Sequence, residues 1–248
     1  MPRFQVIAFD ADDTLWHNER LYALTQDKYR DLLAAYHRPE WIDERLYQTE
    51  MRNLRHFGYG IKAFALSMIE TAIELTEGRI SAPDIQTIID WAKGMLAADV
   101  ELLDHAAETV AGLADAYPLM LITKGDLRDQ ESKIARSGLA GHFRHVEIVS
   151  DKSRAGYEGL LRRHAIAPER FVMVGNSLRS DILPVLEIGG SAVYVPHRLT
   201  WAHEVAEAPP AGRPGFHEIE HLGMLPGLLE ELERGGPSVP LDQPGAET

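Results

Sequence analysis

Two short apolar runs, at 6–9 and 119–123, are separated by a long stretch that contains no third. Runs of this length bounded by polar residues have the pattern of buried strands. The chain between them keeps a helical texture from His17 to about Asp99. Leu21, Leu24, Tyr29, Leu32, Leu33 and Tyr36 form a helical apolar stripe that ends before Pro39, because a residue preceding proline is steered out of helical backbone. A second helix is expected over 40–54, and His56-Phe57-Gly58-Tyr59-Gly60 reads as a turn. Residues 61–75 form a third helix. Ser81-Ala82-Pro83-Asp84 is a start signal for a fourth over 85–96. A structureless connection of this length is rare inside a domain, so four helices without an intervening strand read as an insert of roughly eighty residues.

Beyond Val100 the texture alternates. Helices are expected at 106–116, 127–137, 155–164, 182–188 and 224–234, and strands at 119–123, 146–149, 171–174 and 192–195. Glycines stop two of these helices, at Gly138 and at Gly189-Gly190. Strands alternating with helices predict a parallel sheet covered on both faces. The expected fold is therefore α/β: a Rossmann-like core from 1–16 and 100–234, an all-helical cap over 17–99, and a flexible Gly/Pro-rich tail over 235–248.

The apolar fraction of 45% can fill a sizeable core, and the formal net charge of −13 argues against a nucleic-acid or anionic-membrane surface. The absence of cysteine removes disulfides, thiolate metal sites and cysteine nucleophiles, and suits a reducing compartment. MPRFQVIAFD lacks the apolar length of a signal peptide, and no segment approaches a membrane span. The expectation is a soluble cytoplasmic protein, monomeric or homodimeric.

The first run delivers Asp10 and Asp12 to its carboxyl end. Residues i and i+2 of extended chain project to one side. Ligands of open α/β sheets sit at that end. Two acids there with no basic residue nearby call for a cation or a proton. Later runs end in Thr123-Lys124-Gly125, in Asp151-Lys152 and in Gly175-Asn176-Ser177-Leu178-Arg179-Ser180-Asp181. A carboxylate can attack phosphorus and split one hard step into two. One carboxyl can then protonate a leaving alkoxide and deprotonate a water. A hydroxyl, turn amides and an ammonium meet phosphoryl charge.

In this order, the sequence resembles the haloacid dehalogenase superfamily. Its signatures are acid-x-acid-x-Thr/Val after the first strand, Thr or Ser after the second, a lysine before a later helix, and Gly-Asp with a second acid five residues on. All four occur across roughly 170 residues, and the insert lies where the family places its C1-type cap. The resemblance implies an aspartyl-phosphate on Asp10, proton transfer by Asp12, and phosphoryl contacts from Thr123, Lys152 and the Lys124 and Gly125 amides. It also implies Mg²⁺ ligated by Asp10, the Asp12 carbonyl and the last motif. There Asn176 replaces the usual acid, leaving Asp181 as the acidic ligand, and Ser153 replaces the usual proline after Lys152. Asp13 reads as a turn residue.

The function these features predict is Mg²⁺-dependent hydrolysis of a small phosphorylated metabolite. A 2-haloacid dehalogenase or a phosphomutase would share the nucleophile, and a weakly active phospho-ligand binding module is the non-enzymatic alternative. In the cap turn, His56, Tyr59 and Lys62 are candidates to touch the leaving group, with Trp16 and His17 at the hinge. His217-Glu218-Ile219-Glu220-His221 matches a zinc-protease pattern, but Pro209, Pro210, Pro214, Gly212 and Gly215 deny it a long helix; it is expected to be a surface segment leading to the last helix.

Overall fold

A computed structural model describes residues 3–210 and 212–235; the tail expectation for 236–248 lies outside the described residues. Six parallel strands form one sheet: β1 (Val6–Phe9), β2 (Leu119–Lys124), β3 (Phe143–Val149), β4 (Phe171–Gly175), β5 (Ser191–Tyr194) and β6 (Phe216–Glu218). Their order is β3-β2-β1-β4-β5-β6. The chain runs outward from β1 in both directions, so the crevice between β2 and β4 opens at the carboxyl end of β1.

The period of two sorts the strand residues onto two faces. Ile7, Phe9, Leu119, Leu121, Val172, Val174 and Val193 pack on α5 (Ala106–Ala114), α6 (Leu127–Arg136) and α9 (Leu225–Glu233). Val6, Ala8, Met120, Ile122, Phe171, Met173 and Ala192 pack on α7 (Arg154–Arg163) and α8 (Leu183–Glu187). A fully buried side chain of this size contributes about 1.5–3 kcal/mol, so the two faces fix the register of the sheet.

Helices α1 (Glu19–Leu33), α2 (Pro39–Phe57), α3 (Ile61–Leu75) and α4 (Ala82–Ala97) enclose a separate core of their own, with Tyr29, Leu33, Ile42, Leu46, Phe64, Met68 and Ile88 buried in it. The Tyr29 hydroxyl donates to the Met68 carbonyl at 2.8 Å. Ser81 caps α4 by accepting from the Asp84 amide. Leu15 and Trp16 pair with Leu102 and Leu103 where the chain leaves and re-enters the sheet domain.

Several expectations need correction. α1 ends at Leu33, and Leu24 and Tyr36 of the supposed stripe are 49% and 40% exposed. α2 continues through His56 and Phe57, because the turn begins where Gly58 takes φ +68. The segment at 217–218 is an edge strand, β6, paired with β5 through Val193↔His217 and Tyr194↔Glu218. Its three residues are too few to show a period, which hid a sixth strand.

Candidate active site

Four strand ends converge on one cleft of about 1120 Å³, including its open mouth, roofed by α1, α2 and α3. β1 carries Asp10 to the crevice, where it is 7% exposed. Its Oδ2 accepts from the Thr14 hydroxyl at 2.9 Å, and its Oδ1 meets the Lys152 ammonium. Lys152 stands just before α7, whose first turn is capped by Ser153 accepting from the Gly156 amide. That cap does the positional work a proline would do at the helix start, so the lysine reaches the site with Ser153 after it.

Lys152 also donates to Asp181 Oδ1 at 2.8 Å. Asp181 sits on a π-helical turn, Leu178–Ile182, a form often found at functional sites. The Ser177 amide donates to its other oxygen at 3.0 Å. Gly175 is required here: a Cβ on it would fall 2.3 Å from Asp181 Oδ2. Asn176 follows, with its Oδ1 3.2 Å from Thr14 Oγ and its amide donating to that hydroxyl at 3.1 Å.

Charge in this cluster does not balance. Two buried carboxylates share one ammonium. Burial pushes the Asp10 carboxyl up to about 7, against the pull of Lys152, and Asp181 adds to the rise. Burial alone would depress Lys152, but Asp10 and Asp181 outweigh it and hold the ammonium above the usual lysine range. With both carboxylates ionised, one negative charge is left over. The groups beside it are hard oxygens: the Asp10 and Asp181 carboxylates and the Asn176 amide oxygen. That donor set fits Mg²⁺ and offers nothing to a soft metal. Among the described residues no group of three or more His, Asp or Glu side chains forms a ready-made cation cage, consistent with an amide at position 176.

Asp12 faces the same cleft, and three donors fix its carboxylate: Trp16 Nε1 at 2.7 Å, Gln130 Nε2 at 2.8 Å, and Lys133 Nζ at 2.7 and 2.8 Å to its two oxygens. Gln130 and Lys133 come from α6 and were not singled out by sequence reasoning. The available signal was Asp129, Gln130 and Lys133 on one face of a helix that follows a site-bearing strand. Asp13 is a turn residue with φ +60; its carboxylate accepts from the Asn18 and Glu19 amides and anchors the start of α1.

Thr123 is 1% exposed and lines the cleft. The Lys124 side chain lines it too, donating to Ser180 Oγ and to Glu204. Burial would raise Glu204, but Lys124 together with hydrogen bonds from Ser177 and Ser180 brings it down to about 2. Glu204 lies in a segment without periodicity, so no sequence signal marked it. Gly125, at φ +145, packs against Gln130 behind the lining.

The cap candidates part ways. Tyr59 lines the cleft with its ring 4.2 Å from Lys124 Nζ and edge-on to Trp201. Lys62 lies outside the lining, in an ion pair at 2.9 Å with Asp126, which caps α6. His56 is exposed at the end of α2, against Arg55, and does not reach the cleft. Trp16 serves the site through Asp12, while His17 closes the hinge by donating its amide to the Glu101 carbonyl.

Comparison with known proteins bears on the family and the fold. A family model for haloacid dehalogenase-like hydrolases matches residues 4–189. A haloacid dehalogenase-like family hydrolase from Xanthomonas campestris is 40% identical, with a TM-score of 0.84 over 94% of each chain. A magnesium-bound hydrolase from Bacillus subtilis shares the fold at 18% identity, with a TM-score of 0.65 over 92% of this chain and 99% of its own. A glyceraldehyde 3-phosphate phosphatase from Methanothermobacter thermautotrophicus is 37% identical over 91 residues, which span 35% of this chain and 40% of that relative.

Proposed function

The chain belongs to the haloacid dehalogenase-like hydrolases, and from that premise we propose that it hydrolyses phosphomonoesters of small metabolites with Asp10 as nucleophile and Mg²⁺ as cofactor. The observation that carries the reading is Asp12, a second carboxylate two residues from the nucleophile on the same cleft. Displacing a halide at carbon needs no proton donor, whereas an alkoxide leaving phosphorus does. The partial match to a phosphatase points the same way.

In the first step, with Asp12 first protonated from solvent, an Asp10 oxygen attacks phosphorus, the ester P–O bond breaks, and Asp12 gives that proton to the departing alkoxide. In the second, water attacks the aspartyl-phosphate, Asp12 takes the water proton, and the bond to Asp10 breaks to release phosphate. Thr123 donates to a phosphoryl oxygen, and Lys152 sets positive charge beside Asp10 and the transferring group. Mg²⁺, held by Asp10, the Asp12 carbonyl, Asn176 and Asp181, would supply the positive charge this cluster lacks. The expected partners are a small phosphorylated metabolite and at most a second copy of the chain, in the cytoplasm, with no nucleic acid or membrane. Among the described residues no helix is long and apolar enough to cross a membrane.

Phosphate release from an aryl phosphate is the test. It should require Mg²⁺, stop on chelation, and fall at least about a thousandfold in Asp10→Asn. Undiminished turnover by that variant would reject the assignment.

A further inference from the structure

The cleft has two chemically different ends. At the sheet end stand three lysines, each already matched: Lys124 with Glu204, Lys133 with Asp12, and Lys152 with Asp10 and Asp181. No other basic side chain is among the described residues that line the cleft. At the helical end the wall is built by Glu19, Tyr22 and Gln26 of α1, Glu50 and Asn53 of α2, and Ser67 of α3.

That wall carries acid and no cation. The side chains of Glu19 and Glu50 have no hydrogen-bond or ion-pair partner among the described residues, although every acid at the sheet end that faces a lysine is paired. Asn53 is 7% exposed. Its Nδ2 donates to Ser67 Oγ at 3.2 Å and to Glu70 Oε2 at 2.8 Å, which uses both amide protons. Its Oδ1 is left on the cleft wall without a partner. A fixed acceptor and two acids without a cation therefore border one space, open to a cationic donor from outside the chain.

We propose that this wall recognises a cationic amine on the alcohol half of the substrate, so that the preferred substrates are phosphomonoesters of amino alcohols. The inference rests on the phosphomonoesterase reading and extends it to substrate class. An ammonium brings three donors and the charge that Glu19 and Glu50 lack; charge-assisted hydrogen bonds are roughly twice as strong as neutral ones. A hydroxyl could satisfy Asn53 but would leave the charge unmatched. A carboxylate would meet two acids with no free basic residue to receive it. The state of the wall agrees: burial pushes Glu50 up to about 8, with Glu19 adding to the rise, and burial pushes Glu19 to about 7, with Asp13, Asp12 and Glu204 adding. Near neutral pH Glu50 therefore keeps its proton in the free protein, and a cationic guest draws it off.

The experiment compares kcat/KM for aminoalkyl, hydroxyalkyl and carboxyalkyl phosphates of matched and increasing chain length, with an aryl phosphate as reference. The best aminoalkyl ester should exceed its hydroxyl and carboxyl counterparts by at least about tenfold. Glu50→Gln should erase that preference chiefly through KM, and Glu50→Asp should retain part of it. Should Glu50→Gln fail to fold, the ratio in the unaltered protein decides alone. Aryl phosphate turnover without amine preference overturns this inference and leaves the phosphomonoesterase reading standing. No phosphate release from any ester overturns both.

Discussion

Lys152 stands between two buried carboxylates, and its removal would leave both without a cation. Breaking a buried ion pair by deleting one partner costs about 3–5 kcal/mol, far more than an exposed pair returns. Lys152→Met is expected to lower the urea-unfolding free energy of the metal-free protein by that amount; a loss below about 1 kcal/mol would mean the site is wetter than its burial indicates. That Asp10, Asp12, Thr123 and Lys152 meet at one cleft was legible from sequence, because each lies at or just beyond the end of a strand, where an open parallel sheet gathers its chemistry. Lys133 and Gln130 were not. They stand in the body of α6, where an alternation of charges reads equally well as a solvated face. Glu204 and the pair Glu19 and Glu50 depend on how distant segments cross, which no local pattern encodes.

At the scale of elements, the turn after β4 is the most constrained. The π-helical turn brings Asp181 back over Gly175 so closely that a methyl group cannot enter. Gly175→Ala should displace Asp181 from Lys152 and Ser177, destabilise the protein by about 1–3 kcal/mol, and cut phosphate release. Circular dichroism melts and the aryl phosphate assay check it, and unchanged values for both would contradict the geometry. Helices with caps and glycine stops, such as α4 and α6, were placed from sequence to within a few residues. β6 and the last turn of α2 were not, since one was too short to show a period and the other was masked by the two glycines beyond it.

For the whole molecule, the cleft between sheet and cap carries an excess of buried acid. The folded-state value for Glu50 lies near 8, above its ordinary 4.5. A raised carboxyl favours folding while protonated, so its contribution is complete below its ordinary value and is lost as pH rises through the folded one. The melting temperature of the unliganded protein should therefore fall between about pH 5 and pH 8, and fall less in Glu50→Gln. Equal slopes for the two proteins would show that Glu50 is solvated. The α/β architecture and the helical insert were legible because they rest on period and order. The shape of the cleft between them was not, because it is set by side chains from three helices and a loop meeting across the whole chain.

In the proposed reaction Asp10 takes up the phosphoryl group. Acid-quenching the protein with an aryl phosphate and Mg²⁺ in the pre-steady state, then mapping its peptides by mass, tests this directly. One phosphoryl group is expected on the peptide bearing Asp10, absent from Asp10→Asn. A phosphoryl group on any other residue, or phosphate release without one, would contradict it.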